Sequence, residues 1–545
     1  MKLSNMKFDT IRLLTTAALL AVVGVSSHAQ AIPWEEKVRM AENIDSYLAT
    51  EYPSVIKKVV VTEDKVTISG VCSGEGSFLL ADIVPWQDVT EMKTFPYTVG
   101  IGTKKFEITL DRYVRGREGI DYDRVFSKWA VVRLDGPVQI LDSHARYADE
   151  VAPKATPAPL KLKNKKGFGA GGGELYLKEV KEIGIGSVTS NIHLVDVISG
   201  EGEDYEYGGL SYAFGKSVDR IRKHLGALAE TDVVVSAIIL CARNSVYADP
   251  ENEGGFYAMP DLTSAKAFNV YAAALEYLAS SYWGQNGGRI SHWIMQNEVD
   301  MGHEWTNMGK QPETRLLDRY VKSMRVCYNI ARQYDQNASV LESMTHNWVN
   351  GDGGYSPKSM LEKTLAYSKA EGDFRWGIAY HPYPQDLSRP KFWEDDTRST
   401  FDRNSDYVTF KNLEVIDDWI LQKGHFYKGK KRPLFLSEQG TNSPSYSEED
   451  LTLQAAGAAW AWKKTAALKG IDAIQWHGWR DQREEFGLRI GLHAFADGDY
   501  QDLQPKPVFK VWAAAGTAEE DEVFAPYLEV LGLKDWKEIM HKVSR

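Results

Sequence analysis

Beyond residue 160 the chain repeats one pattern eight times, a short apolar run followed by an amphipathic stretch, and few folds accommodate such a repeat. The runs are Lys166–Phe168, Ser187–Val195, Val233–Leu240, Ile290–Asn297, Ser339–Ser343, Arg375–His381, Leu434–Glu438 and Ala473–Trp476. Helical periodicity between them covers Leu175–Ile183, Ser217–Ala229, Ser264–Tyr282, Arg315–Tyr334, Lys358–Glu371, Leu413–Lys423 and Asp450–Leu468. Eight βα units fit a single (β/α)8 barrel with insertions, over 160–545, better than two or three open-sheet domains, so the expected fold class is α/β. The glycines of 169–173 lack the spacing and flanks of a dinucleotide fingerprint and read as a flexible turn.

The chain ahead of the barrel has a different texture. A helix is expected over Trp34–Leu48. Short β-branched and aromatic runs follow, such as Val59-Val60-Val61, Val66-Thr67-Ile68, Phe106–Leu110 and Ala130-Val131-Val132. Gly, Asp and Lys turns separate them, the pattern of an antiparallel sandwich, so 30–150 is expected to be an N-terminal β-sandwich-like accessory domain. The Pro- and Ala-rich stretch 151–159 resists helix and sheet alike and reads as a linker. At the start, Lys2, Lys7 and Arg12 precede an apolar stretch from Leu13 to Val25, and Ser27-His28-Ala29 offers small residues where a signal peptidase reads. The expectation is a cleaved signal peptide over 1–29 and a secreted or periplasmic product. No later stretch is apolar enough to span a bilayer, so no stable membrane insertion is expected.

Composition narrows the partners. A net charge of −11 opposes broad attraction to nucleic-acid phosphates. The 16 Trp and 27 Tyr suit surfaces that bind sugars or peptides. Cys72, Cys241 and Cys327 are too few for a disulfide framework, lack zinc-site spacing and read as buried free thiols. His303-Glu304 lacks the second histidine of a helical zinc motif, and Asp395, Asp396, Asp402 and Asp406 do not match a calcium loop. Neither metal nor cofactor is expected.

In such barrels the chemistry sits at the C-terminal ends of the strands. The fourth run ends Gln296-Asn297-Glu298 and the seventh ends Ser437-Glu438, so each delivers a carboxylate to the barrel mouth, from opposite sides. A convergent pair of carboxyl groups is what a retaining glycosidase needs, one to attack the anomeric carbon and one to protonate the leaving oxygen. The sixth run ends His381-Pro382-Tyr383 and the eighth ends Trp476-His477.

These four strand ends, in this order, resemble the signature of the clan-A glycoside hydrolases. The resemblance covers roughly residues 160 to 515 and implies a role for each match. Glu298 becomes the acid/base, Glu438 the nucleophile, and Asn297 a contact to a sugar 2-hydroxyl. Tyr383 becomes the hydrogen-bond partner of the nucleophile, His381 a sugar contact, and Trp476 the floor beneath the reacting sugar. Arg243 and Asn244, at the third strand end, match no pattern of the clan and are polar candidates only. His346 and Trp348, within Thr345-His346-Asn347-Trp348 after the fifth strand, are candidates for lining the cleft.

Long loops over Ser199–Phe214, Cys241–Leu262, Pro382–Tyr407 and His477–Pro507 carry enough rings to wall a cleft, among them Tyr205, Tyr207, Tyr212, Tyr247, Phe256, Tyr257, Phe392, Trp393, Trp479 and Phe486. Arg480, Arg483 and Arg489 alternate with Asp481, Glu484 and Glu485, which favours salt bridging within the loop over recognition of an acidic sugar. The resulting expectation is an exported retaining glycoside hydrolase that cleaves a β-type bond in a poly- or oligosaccharide. Two rivals stand beside it: a non-catalytic carbohydrate-binding barrel, and a metal-dependent barrel hydrolase.

Overall fold

The computed structural model describes residues 32–169, 171–281, 288–483, 486–495 and 504–544. The expected signal peptide lies outside the described residues. Eight parallel strands close into a barrel in chain order: Lys166–Phe168, Ser187–His193, Val234–Leu240, Ile290–Met295, Ser339–Met344, Trp376–Tyr380, Leu434–Gln439 and Ala473–Trp476. The first strand pairs with the eighth through Lys166↔Ile474 and Phe168↔Trp476. The runs are apolar because both faces are covered: every residue of Val234–Leu240 is buried. Ile238, Leu240, Ile294, Leu341, Ala379, Phe435 and Ala473 fill the barrel interior, with Leu162 and Tyr257 packed against them.

Three of the barrel's helices start where serine stands ready to accept a free backbone N–H. Ser264 accepts from Ala267 N, Ser356 from Ser359 N with Pro357 in the first turn, and Ser447 from Asp450 N. The 22-residue helix Glu313–Tyr334 is buried along most of its length, because the N-terminal region covers the side turned away from the barrel. That region holds two four-stranded sheets. One orders Glu150–Val151, Val55–Val61, Lys65–Val71 and Lys105–Asp111; the other orders Thr98–Ile101, Ser77–Ile83, Lys128–Asp135 and Val138–Leu141. Val59, Val66, Ile68, Leu80 and Val131 belong to one apolar cluster that continues into the barrel's helix layer.

Buried polar groups join the two parts. Lys128 Nζ lies 2.7 Å from Glu371 Oε1, Tyr47 donates its hydroxyl to the same carboxylate at 3.1 Å, and Asn329 donates to Val125 O at 3.1 Å. The stretch 151–159 is extended, as its prolines require, and is tied down along its length. Ala152 N donates to Val61 O, Lys154 N and Ala155 N both donate to Gln333 O, and Arg289 donates to Ala158 O.

One loop differs from expectation, and in another, one expected charge finds a different partner. Residues 199–214 form most of a hairpin, Ile198–Tyr207 with Leu210–Phe214, packed on the Ala265–Ser280 helix, because Tyr205 and Phe214 meet Tyr277 while Asn269 donates to Tyr207 O. In the eighth loop, Asp481 pairs with Lys506 at 2.9 Å rather than with an arginine, and Arg489 donates to Pro444 O. Glu484 and Glu485 lie outside the described residues.

Candidate active site

The Asn297-Glu298 turn begins where the fourth strand stops at Met295. Gln296 and Glu298 both take left-handed conformations, with φ of 48° and 40°. Non-glycine residues rarely accept this region, and two around one asparagine mark a turn that its surroundings hold in place. The holding groups are visible: Ser343 Oγ, on the fifth strand, accepts from Glu298 N at 2.9 Å, and Thr306 Oγ1 donates to Asn297 O at 2.7 Å. Glu438 arrives within the seventh strand, and Tyr383 donates its hydroxyl to Glu438 Oε1 at 3.2 Å. Carboxylate oxygens of Glu298 and Glu438 and a ring nitrogen of His381 lie within 4.8 Å of one another.

The two carboxyl groups sit in different surroundings. Glu298 is buried, and burial raises its carboxyl to about 8; the charge of Glu304 adds to the rise and His477 opposes it. At neutral pH Glu298 therefore carries a proton. Glu438 is half-buried and accepts from the Tyr383 hydroxyl. His381 Nδ1 is 2.9 Å from Glu298 Oε1, and its Nε2 is 3.1 Å from Ser437 Oγ. Burial lowers the His381 imidazole, while Glu438 and Asp300 oppose that shift, so the contact joins a neutral acid to a neutral ring.

A cavity of about 400 Å³ opens over these groups. Asn297, Glu298, Tyr383, Glu438 and His346 line it, together with Thr345 and Asn347, and Tyr257, Trp305 and Phe486 bring rings to its wall. Asn297 Oδ1 and Asn347 Oδ1 are buried with no hydrogen-bond partner among the described residues, so each is an acceptor suited to a ligand hydroxyl. Burial pushes the His346 imidazole down to about 4, and its ring meets the edge of Tyr407.

Five expected positions need correction. His381 is fully buried with both ring nitrogens engaged, so it reaches Glu298 and Ser437 and no sugar. Trp476 is also fully buried, donates to Ile490 O and lies parallel to Phe410; it supports the site from below instead of forming its floor. Trp348 donates to Arg403 O within a cluster with Tyr380 and Trp419, away from the cavity. Arg243 and Asn244 are exposed and outside the cavity lining, Arg243 donating to Gly255 O. Of the ten rings expected in the cleft, Tyr257 and Phe486 line it. Tyr212, Tyr247 and Trp479 are buried, with hydrogen bonds to Asn269, Ile198 O and Glu179.

One residue escaped sequence reasoning. Asp300, two positions after Glu298, is fully buried, accepts from Thr345 N at 2.9 Å and from the Thr345 hydroxyl, and lies 3.4 Å from Asn347 Nδ2. Burial raises it to about 7. It ties the loop after the fifth strand to the loop that carries Glu298. Its only sequence signal is proximity to Glu298.

A (β/α)8 barrel with two convergent carboxyl groups at its C-terminal mouth is thus the class of protein defined by fold and site. The chain belongs to the family of unknown function DUF5722, whose model matches residues 158–539. No curated protein matches it. Among solved structures, it is similar to a family 39 glycoside hydrolase from the gut symbiont Bacteroides cellulosilyticus WH2, with 13% identity, 86% of this chain and 83% of that chain covered, and a TM-score of 0.44. It is also similar to a β-glucosidase from Pyrococcus furiosus, with 11% identity, 66% and 87% covered, and a TM-score of 0.40. An endo-β-1,3-glucanase from Amycolatopsis mediterranei aligns at 13% identity over 65% of this chain and 100% of that chain, with a TM-score of 0.32. Among the described residues no helix is long and apolar enough to cross a membrane.

Proposed function

We propose that the protein is an exported glycoside hydrolase that cleaves a β-type bond in a poly- or oligosaccharide by double displacement. One observation carries this reading: Glu298 and Glu438 bring carboxylate oxygens within 4.8 Å, one group neutral and the other held by a hydroxyl donor. A retaining pair stands roughly 5–5.5 Å apart and an inverting pair about 6.5–9.5 Å, so the spacing favours attack by the enzyme over attack by water. In the first step Glu438 attacks the anomeric carbon while Glu298 gives its proton to the departing oxygen. In the second, Glu298 takes a proton from water, which displaces Glu438 and returns the original configuration. Asn297 Oδ1, buried without a partner among the described residues, supports a contact to the sugar 2-hydroxyl.

The apolar stretch at residues 13–25 supports export to the periplasm or medium. The test is hydrolysis of aryl β-glycosides and of a polysaccharide panel, with the product anomer read by NMR at early times. An inverted product would refute the mechanism, and absence of any turnover would favour a binding protein. The same three side chains, Glu298, His381 and Glu438, could also offer donors to a metal ion. Both ring nitrogens of His381 are already hydrogen-bonded, so a metal would have to displace one bond. Loss of turnover on chelation, restored by a divalent ion, would establish that alternative.

A further inference from the structure

The opposite end of the barrel, where the strands begin, holds a second cavity of about 560 Å³. Its wall includes Ser291, His292 and Arg375. Ser291 is skipped in the pairing of the third and fourth strands: Val235 pairs with Ile290 and Ser236 with His292. Such a bulge breaks the alternation of side chains and re-aims the extra residue. The Ser291 hydroxyl is buried with no hydrogen-bond partner among the described residues, although the residue lines the cavity. An unpaired buried hydroxyl in a cavity wall is a donor suited to a ligand.

The neighbouring groups indicate the sign of that ligand. Burial and the charge of Arg375 push the His292 imidazole down to about 3, so the ring is neutral. Its Nδ1 lies 2.6 Å from Ser339 Oγ. With Nδ1 accepting from that hydroxyl, Nε2–H becomes a donor. The two carboxylates in the wall are already neutralised, Asp335 by Arg289 at 2.5 Å and Asp472 by Lys431 at 2.7 Å. Arg375 is half-buried, and its guanidinium has no carboxylate or hydrogen-bond partner among the described residues. Its guanidinium is a charged fork without an anion to fill it.

We propose that this cavity binds a small organic oxyanion, a phosphate, sulfate or carboxylate, with Arg375 as the charge partner and the Ser291 hydroxyl and His292 Nε2 as directional donors. The half-buried side chains of Leu160 and Leu162 provide an apolar wall for the rest of the molecule. The site lies at the barrel end opposite the glutamates, so it is independent of the glycosidase reading, and its readout is binding.

The test uses the full-length protein in thermal melts and calorimetric titrations. Inorganic phosphate, sulfate and acetate are added separately, against sodium chloride at matched ionic strength. At least one oxyanion is expected to raise the melting temperature saturably. Arg375→Gln should weaken that response at least tenfold and Ser291→Ala several-fold, whereas Lys93→Gln, in an exposed loop of the N-terminal region, should leave it unchanged. If Arg375→Gln melts far below wild type without added anion, Ser291→Ala carries the same comparison. A response equal to that of chloride, or a wild-type response in both site variants, would overturn the proposal.

Discussion

His381 Nδ1 lies 2.9 Å from Glu298 Oε1, and the other nitrogen of the same ring lies 3.1 Å from the hydroxyl of Ser437, the residue before Glu438. One buried imidazole therefore couples the strand ends that carry the two carboxyl groups. The ring lies against the buried side of Glu298, whereas Glu438 is half-buried. The raised acid and the half-buried Glu438 follow from this division of the site into a dry side and a wet side.

The two glutamates should fail differently. Glu438→Ala is expected to abolish hydrolysis of natural glycans and activated aryl glycosides alike. Glu298→Ala should lose natural glycans by about 10²–10⁴-fold yet still form the glycosyl-enzyme from an activated aryl substrate, with azide completing the second step. Steady-state kinetics across a series of leaving groups, with NMR of the azide product, checks this; the opposite pattern would exchange the roles.

Tyr383→Phe removes the hydroxyl that donates to Glu438 at 3.2 Å. A hydrogen bond to a charged group contributes about 1.5–3 kcal/mol, so kcat should fall by roughly 10- to 100-fold with KM changed much less. An unaltered kcat would detach Tyr383 from the chemistry.

In the proposed mechanism Glu298 acts in its acid form in the first step, so activity should decline above about pH 8. His381→Ala opens the buried side of Glu298 to water and relieves the desolvation that raises it. The alkaline limb of kcat/KM should then move to lower pH by about a unit or more. A limb that stays in place would mean that burial by His381 does not set the acid.

Lys128 and Glu371 join the N-terminal sheets to the barrel through a buried pair. Lys128→Ala strands the carboxylate and should destabilise the fold by about 3–5 kcal/mol. All the proposed catalytic groups lie on the barrel, so activity per folded molecule should be retained. Denaturant melts and active-site titration separate the two effects, and loss of turnover in the folded variant would place the N-terminal region within the chemistry.

Glu342 has both carboxyl oxygens buried without hydrogen-bond partners among the described residues. Burial raises it to about 8; the charge of Asp300 adds to the rise and Thr364 opposes it. An unfolded glutamate loses its proton near pH ~4.3, so between that pH and about 8 the native state binds the extra proton. Stability is then full below the unfolded value and falls as pH rises through the window. Glu342→Gln cannot ionise, and its Tm loss between about pH 5 and pH 8 should be smaller by a few degrees. An identical slope in both proteins would show that Glu342 ionises freely in the native state.

The barrel was legible because its strands must be apolar on both faces and its helices on one, and both requirements leave a local imprint of period and length. Lys166–Phe168 and Ala473–Trp476 coincide with the expected runs, and the other six strands differ by only one or two residues at either end. That Asn297, Glu298, Tyr383 and Glu438 share one cavity was legible for a related reason: a polar side chain at or just beyond the end of an apolar run is a local pattern, and barrel topology carries all such ends to one mouth.

Tertiary structure alone decided what each ring and charge faces. His381 and Trp476 stand at the expected strand ends, yet their side chains turn into the packing beneath the cavity; Trp348 joins the cluster of Tyr380 and Trp419. Lys128 meets a carboxylate 243 residues away, and Ser291 is re-aimed by a bulge that exists only in register with the third strand. Sequence period records whether a position is buried, a property of the residue and its near neighbours. Which partner fills the space beside it depends on the packing of distant segments, and that information is written in no single stretch of the chain.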